Sequence, residues 1–487
     1  MNLEDKNSRR SFIKKSAAAA FGIAIVPRFV LGNGYVAPSD KLNIAVIGGG
    51  GKGFSDAMYA YANGYVNITA ICDVDWSRAE KLFKQFPKAK RYKDYRVLLD
   101  EMKDIDAITV STPDHNHAII THAAMQLGLD TYVQKPLTHN IHEARVLTQA
   151  AEQYKIVTQM GNQGASSRGT NTMIKWFDEG RIGAVDLVHV WTNRPVWAQG
   201  IANPSDKVAM IDGLAWDNWI GPAKYVDYHP SYHPFSWRGW WNFGTGALGD
   251  VGCHLIDPPY RVLGLGYPTE VESSVGTVYA GRKRPHYPDS CPPSSRTQLT
   301  FPATAKNPKK LKMTWTDGGL RPFHPDLIPA DHPLGEKDSA NGVIMMGEKG
   351  IMICGMYGDN PKIYLNTGEI ITMPEENEQD KARIALPAHG HHHDWVEACK
   401  AGFGSKEHKA LTSSFDISGP LTETVLMGNL AIRSYALRGE KVQVGKRTRF
   451  SYPGRKKLLW DGENMRITNF EEGNQFVGRE YRKGWQL

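Results

Sequence analysis

Lys41-Leu42-Asn43-Ile44-Ala45-Val46-Ile47 runs straight into Gly48-Gly49-Gly50-Gly51-Lys52-Gly53. A short apolar run, a glycine turn and the helix-forming stretch from Ser55 to Ala62 together make a strand-turn-helix unit. Gly48, Gly50 and Gly53 fill the G-x-G-x-x-G positions. The first allows a tight turn, the second lets the backbone approach a pyrophosphate, and the third lets helix and strand pack closely. Amides at the helix start then face phosphate oxygens, with Lys52 among them.

The pattern strengthens outward from the glycines. Val66 to Cys72 reads as a second strand ending at Asp73, 20 residues after Gly53. An acid there accepts hydrogen bonds from ribose hydroxyls and repels a 2′-phosphate, so NAD is expected over NADP; Arg78 is the nearby feature that favours NADP. Helical segments (Ala79 to Phe86, Asp94 to Asp100, His117 to Leu127) alternate with strands (Ala107 to Ser111, Thr131 to Gln134). This alternation predicts a parallel sheet wrapped by helices, with ligand at the carboxyl ends of its strands. Ser111, Thr112, Pro113, His115, His117, Gln134 and Lys135 fall at those ends and are the further cofactor candidates.

Together with Gly246-Ala247-Leu248-Gly249-Asp250-Val251-Gly252-Cys253-His254-Leu255-Ile256-Asp257, these landmarks resemble the Gfo/Idh/MocA family of glucose-fructose oxidoreductases and inositol dehydrogenases, from about Lys41 to Gly439. The resemblance implies an α/β chain: an N-terminal Rossmann dinucleotide-binding domain (41–160), then an α+β domain with a mostly antiparallel sheet (161–445) for substrate and oligomerisation. It implies an NAD-dependent sugar oxidoreductase in which Lys135, Asp250 and His254 handle the substrate hydroxyl. Where the family shows Glu-Lys-Pro, this chain has Gln134-Lys135-Pro136, which changes the charge beside the nicotinamide. Read on their own, Asp250 and His254 are four residues apart and share one helix face. The carboxylate is therefore expected to orient the imidazole that takes the hydroxyl proton, while Lys135 stabilises the alkoxide. A helix cap and a satisfied core histidine are the alternative for an isolated pair.

After Val157-Thr158-Gln159-Met160-Gly161-Asn162-Gln163 the alternation stops. Eight of the thirteen tryptophans lie between Trp176 and Trp241, and an aromatic face beside polar groups suits a sugar ring. Asn162, Arg194, Trp197, Trp237, Arg238, Trp240, Trp241 and Asp257 are the substrate candidates, although burial in a core or an interface accounts for most of the aromatic residues. Beyond Pro268, strand-like runs between Gly, Pro and Asp turns predict the antiparallel sheet, with one face free for another subunit. In His389-Gly390-His391-His392-His393-Asp394, successive helical side chains diverge by about 100°, so no metal site is expected and a polar helix start is. Residues 446–487 form a charged, aromatic tail that ordinary members lack, expected to wrap a neighbouring subunit.

The net charge of +7 is scattered without a basic run, which argues against nucleic acid. Five cysteines, odd in number and widely spaced, make no disulfide framework. Ser8-Arg9-Arg10-Ser11-Phe12-Ile13-Lys14 and the apolar run from Ala17 to Val26 read as a twin-arginine signal within residues 1–33, too short for a membrane span. That signal predicts a soluble periplasmic enzyme exported with its dinucleotide in place. Without an exchangeable pool, reduced cofactor has to be reoxidised where it sits. One route couples oxidation of one sugar to reduction of another. The alternative is a redox-neutral glycoside hydrolase: transient ring oxidation, elimination, hydration and reduction, with no need of paired carboxylates. A non-catalytic carbohydrate-binding protein with structural NAD is the second alternative.

Overall fold

The computed structural model describes residues 41–279, 281 and 285–487; the twin-arginine reading lies outside the described residues. Strands β1 (Asn43–Ile47), β2 (Asn67–Cys72), β3 (Lys90–Tyr92), β4 (Ala107–Val110), β5 (Asp130–Val133) and β6 (Thr158–Met160) form a parallel sheet in the order β3-β2-β1-β4-β5-β6. Ile44, Ala45, Val46 and Ile47 are all buried, as expected of a parallel strand covered on both faces. Strand order reverses between β1 and β4, and a crevice opens there at the carboxyl ends.

Five helices make the crossovers: α1 (Lys52–Tyr61), α2 (Trp76–Gln85), α3 (Tyr95–Glu101), α4 (Asp114–Gln126) and α5 (Ile141–Tyr154). Asp75, Asp94 and Asn140 cap α2, α3 and α5 by accepting from backbone amides, which fixes where those helices begin. Helix α4 begins three residues before the predicted His117, because Pro113 stands at its N-cap in an extended conformation.

After α6 (Arg168–Asp178), β7 (Val185–Thr192) enters a second sheet with β8 (Glu270–Val275), β9 (Ser295–Phe301), β10 (Leu311–Thr316), β11 (Asn341–Gly347), β12 (Gly350–Cys354), β13 (Lys362–Leu365) and β14 (Ile370–Thr372). A separate hairpin, β15 (Lys441–Val444) and β16 (Arg447–Phe450), precedes β17 (Leu458–Asp461) and β18 (Arg466–Ile467). The second sheet runs β14-β13-β12-β11-β7-β10-β9-β8-β17-β18. Its one parallel pair among the described residues is β7 with β10. Between β7 and β8 come α7 (Trp216–Ile220) and α8 (Gly246–Leu255); α9 (His391–Ala401) and α10 (Phe415–Ala436) lie between β14 and β15.

Helix α10 joins the two sheets: Leu421, Val425 and Leu430 share one core with Val110 and Val133 of the first and Leu299 and Met313 of the second. Helix α9 packs on the parallel sheet, with Trp395 in the cluster of Val46, Ala107 and Tyr132. The histidine run is therefore not a polar helix start, since His391 and His392 are buried. Their rings part company, as the helical spacing predicts: His391 reaches Met160 O, His392 reaches Asp56, and His393 stacks on Tyr65.

The tail folds back on its own chain. Strand β17 pairs with β8, and the last residues cross to the first sheet. Arg479 pairs with the buried Glu143 at 2.8 Å and donates to His115 O at 2.6 Å. Tyr481 donates to the same carboxylate at 3.0 Å. Arg482 donates to Gly221 O at 2.9 Å and pairs with Asp217, and the Arg96 guanidinium lies 4.3 Å over the Trp485 ring. A fully buried acid on α5 requires cationic and hydroxyl partners, and this tail supplies them. All five cysteines are buried and unpaired. No helix among the described residues is long and apolar enough to cross a membrane.

Candidate active site

A cavity of about 510 Å3 fills the crevice between β1 and β4. At one end is the glycine turn. Gly48 has φ +85°, and a Cβ there would lie 2.6 Å from Ser111 O; one on Gly53 would lie 1.8 Å from Gly48 O. Gly53 therefore sits beneath the turn, outside the cavity, while Gly48, Gly50 and Lys52 line it. Asp73 lines the same end and accepts from the Gly49 and Gly50 amides at 2.8 and 3.1 Å. Burial pushes its carboxyl up to about 6 against those bonds. Arg78 lies across the turn, its guanidinium 3.7 Å from where a Cβ on Gly51 would be. A side-chain-free turn at a helix N-terminus, followed by a half-buried acid at the end of β2, fits a nicotinamide dinucleotide.

Above this groove sits a roof built by the segment before α8. Trp216, Trp219, Tyr232, Trp237, Trp240 and Phe243 form their own apolar cluster. It docks on the rim through Ala215 N–H to Val74 O at 3.0 Å, Asn218 to Lys93 O at 3.2 Å, and His233 to Asp75 at 3.4 Å. Trp219, Phe235 and Trp237 line the cavity.

At the other end Lys135 reaches across from the first sheet. Its Nζ donates to Asp250 Oδ1 at 2.9 Å, and Arg238 Nε donates to the same oxygen at 3.2 Å. Burial raises the Asp250 carboxyl, but the two cations outweigh it and hold it at about 2. The expected Asp250 to His254 hydrogen bond is not formed, because the two cations take the carboxylate first. Burial and the Lys135 charge keep His254 well below the ordinary imidazole value, hence neutral. Its Nδ1 is sealed without a partner among the described residues, which leaves Nε2 as the nitrogen toward the cavity. Asp114, bonded by the Thr245 hydroxyl at 2.6 Å, is pushed by burial to about 7.

Ser111, Thr112, Pro113, Gln134, Lys135, Arg194, Arg238, Asp250 and His254 all line this cavity, whereas several other expected residues do not. His115 is held between Phe243 O and Trp219 O, and His117 between Pro136 O and Thr112 O, so both brace loops rather than face the cofactor groove. Asn162 is buried beneath the site, and Asp257 is bound by Arg261 at 2.6 Å. The indoles of Trp197 and Trp240 are spent on Gln199 and Ser231 O, while Trp241 faces a separate cavity beside Arg433. Sequence reading missed Asp56, His392, Asp114 and Tyr357. The i,i+4 spacing of Lys52 and Asp56 was a usable signal for the first; the others come together only in three dimensions.

A family model described as an oxidoreductase family with an NAD-binding Rossmann fold matches residues 42–162, and one for the C-terminal alpha/beta domain of that family matches residues 189–278. Over these stretches the chain matches the two domain models of the Gfo/Idh/MocA oxidoreductase family. Its first sheet is thus an NAD-binding Rossmann domain. The chain is similar to a levoglucosan dehydrogenase of Pseudarthrobacter phenanthrenivorans, with 26% identity across 46% of the chain and 52% of the relative. It is also similar to a glycosyl hydrolase family 109 protein of Shewanella baltica, with 28% identity across 51% and 55%. The chain thus spans about half the length of these curated relatives. An inositol dehydrogenase homolog from Azotobacter vinelandii, solved with NADH and myo-inositol, shares the fold: TM-score 0.55, 15% identity, covering 80% of this chain and 95% of that one.

Proposed function

We propose that this protein is an NAD-dependent oxidoreductase acting on a ring hydroxyl of a sugar or polyol, with its cofactor retained between turnovers. The observation that carries the reading is the convergence of Lys135, Asp250, Arg238 and His254 at one end of a roofed dinucleotide groove. NAD, when bound, supplies the hydride acceptor. Lys135, positioned by Asp250, donates to the substrate hydroxyl oxygen and stabilises the negative charge that develops there. Neutral His254 accepts the hydroxyl proton at Nε2. The aromatic roof excludes water and, clasped by Arg482, opposes cofactor release.

The dehydrogenase and inositol-dehydrogenase relatives support this assignment. The family 109 relatives favour a second reading, a redox-neutral glycosidase in the same site. Ser8-Arg9-Arg10 supports export to the periplasm, where retention of the cofactor matters most; Arg9→Lys with Arg10→Lys should leave the protein in the cytoplasm. To separate the readings, natively purified protein is analysed by mass spectrometry for dinucleotide, then incubated without added NAD with free sugars and with aryl glycosides. Reduced nicotinamide appearing with a free sugar supports the dehydrogenase, and aglycone release without it supports the glycosidase. Neither signal, with dinucleotide present, refutes the enzyme reading in favour of a binding protein.

A further inference from the structure

The loop after β12 carries Tyr357 into the cavity of the Rossmann crevice, from the opposite sheet. Its backbone has φ +65° and ψ 13°, a left-handed conformation disfavoured for any residue with a Cβ and rare for an aromatic one. Such a conformation persists only where its surroundings impose it, and it concentrates at functional sites. Here the constraints are visible. Ser167 Oγ donates to Tyr357 O at 2.9 Å, Met356 N–H donates to Glu336 Oε1 at 3.1 Å, and Gly355 N–H donates to Asp359 O at 2.9 Å. A Cβ on Gly164 would lie 2.6 Å from Tyr357 Cα, so that position has to be bare for the loop to seat.

The result is a phenol at the reacting end. The Tyr357 ring meets the His254 imidazole edge to face at 4.7 Å and 73°. Burial, reinforced by the Asp250 charge, raises the phenol further, so it stays protonated and is a donor. Tyr65, Tyr92 and Tyr481 each spend their hydroxyl on a carboxylate, but no described residue hydrogen-bonds that of Tyr357. A tyrosine held in strain beside the imidazole, with a free donor in the cavity, lacks only an acceptor.

We propose that Tyr357 is a substrate-contacting residue: its hydroxyl donates to a second hydroxyl of the carbohydrate, adjacent to the one that Lys135 and His254 address. This restricts substrates to those with vicinal hydroxyls, and it rests on the oxidoreductase reading above. The rival is packing alone, in which the ring merely supports His254; phenylalanine would then serve as well.

The test compares holoprotein of wild type, Tyr357→Phe and Tyr357→Ala on the free sugars that wild type oxidises, and on their deoxy analogues lacking the neighbouring hydroxyl. Dinucleotide content and unfolding temperature are measured alongside. Expected is a Phe variant with unchanged dinucleotide content and unfolding temperature but kcat/KM about tenfold lower. On the matching deoxy sugar, wild type and the Phe variant should converge. A Phe variant within twofold of wild type on every sugar, with only the Ala variant impaired, overturns the contact and leaves packing. If wild type itself oxidises no sugar, the oxidoreductase reading falls and takes this inference with it. Wild-type activity with an unaffected Phe variant removes this inference alone.

Discussion

Gln134 donates its amide Nε2 to Asp56 Oδ2 at 2.9 Å, and this bond accounts for an amide standing where the family shows an acid. Asp56 is fully buried and also accepts from Ser111 Oγ at 2.8 Å and His392 Nε2 at 3.1 Å, with Lys52 as its cation. Burial works to raise its carboxyl, but His392 and Lys52 together hold it at about 2. An acid beside the cofactor groove is thus supplied by α1 rather than by the end of β5.

Gln134→Glu would set a second carboxylate against Asp56. An unpaired buried charge costs about 3 kcal/mol or more, so the variant should unfold at lower denaturant. Because the added carboxyl would have a raised pKa, the deficit should grow from about pH 5 to about pH 8. Equal stability at both pH values would contradict this account of Asp56.

Asp250→Asn removes the acceptor shared by Lys135 and Arg238. Turnover should fall about 100-fold or more, with dinucleotide content unchanged by mass spectrometry. Since the Asp250 carboxyl is held at about 2, its contribution to stability is complete above the unfolded value of 3.8 and is lost as pH falls through about 2. The Asn variant should therefore match wild type in acid-unfolding behaviour above pH 4, apart from a uniform offset.

Asp73 is the opposite case. Its folded value is raised from 3.8 to about 6 by burial, so the folded apoprotein binds this proton more tightly than the unfolded chain. That stabilising increment is complete below about pH 4 and lost as pH rises through 6. Dinucleotide retention should run the other way, because only the carboxylate can accept from both ribose hydroxyls. Dialysis should strip cofactor faster at about pH 5 than at about pH 8, and Asp73→Asn should abolish that difference.

Removing residues 478–487 deletes Arg479, Tyr481, Arg482 and Trp485 at once. Buried Glu143 then loses its cation, and the roof loses its tie at Asp217 and Gly221. Expected are a lower unfolding temperature and loss of cofactor on gel filtration. Arg482→Ala, which leaves Glu143 paired, should loosen the cofactor with little effect on unfolding.

Much of the first sheet was legible because its signals are local. The glycine turn, the apolar strand at Leu42 to Ile47 and the acid at Asp73 each carry their meaning within a few residues. Lys135, Asp250 and His254 could be picked out, but not how they pair: one Asp between two cations and a neutral imidazole is settled by charge in three dimensions, not by i,i+4 spacing. The tryptophans misled for a related reason. Trp197 and Trp240 carry the composition of a sugar platform, yet their indole N–H groups had to find partners once buried, and those partners lie away from the cavity. Asp56 with His392, and Tyr357 with His254, join residues separated by one or more strands of different sheets, so no sequence window contains them.

Residues 479 to 485 leave the ribosome after everything they fasten, and their partner His115 was made 364 positions earlier. Locking of the groove therefore waits until Arg479 and Arg482 have been added. Until then the groove stands open to nucleotide, and a chain cut short before residue 479 should fold both sheets yet leak its cargo.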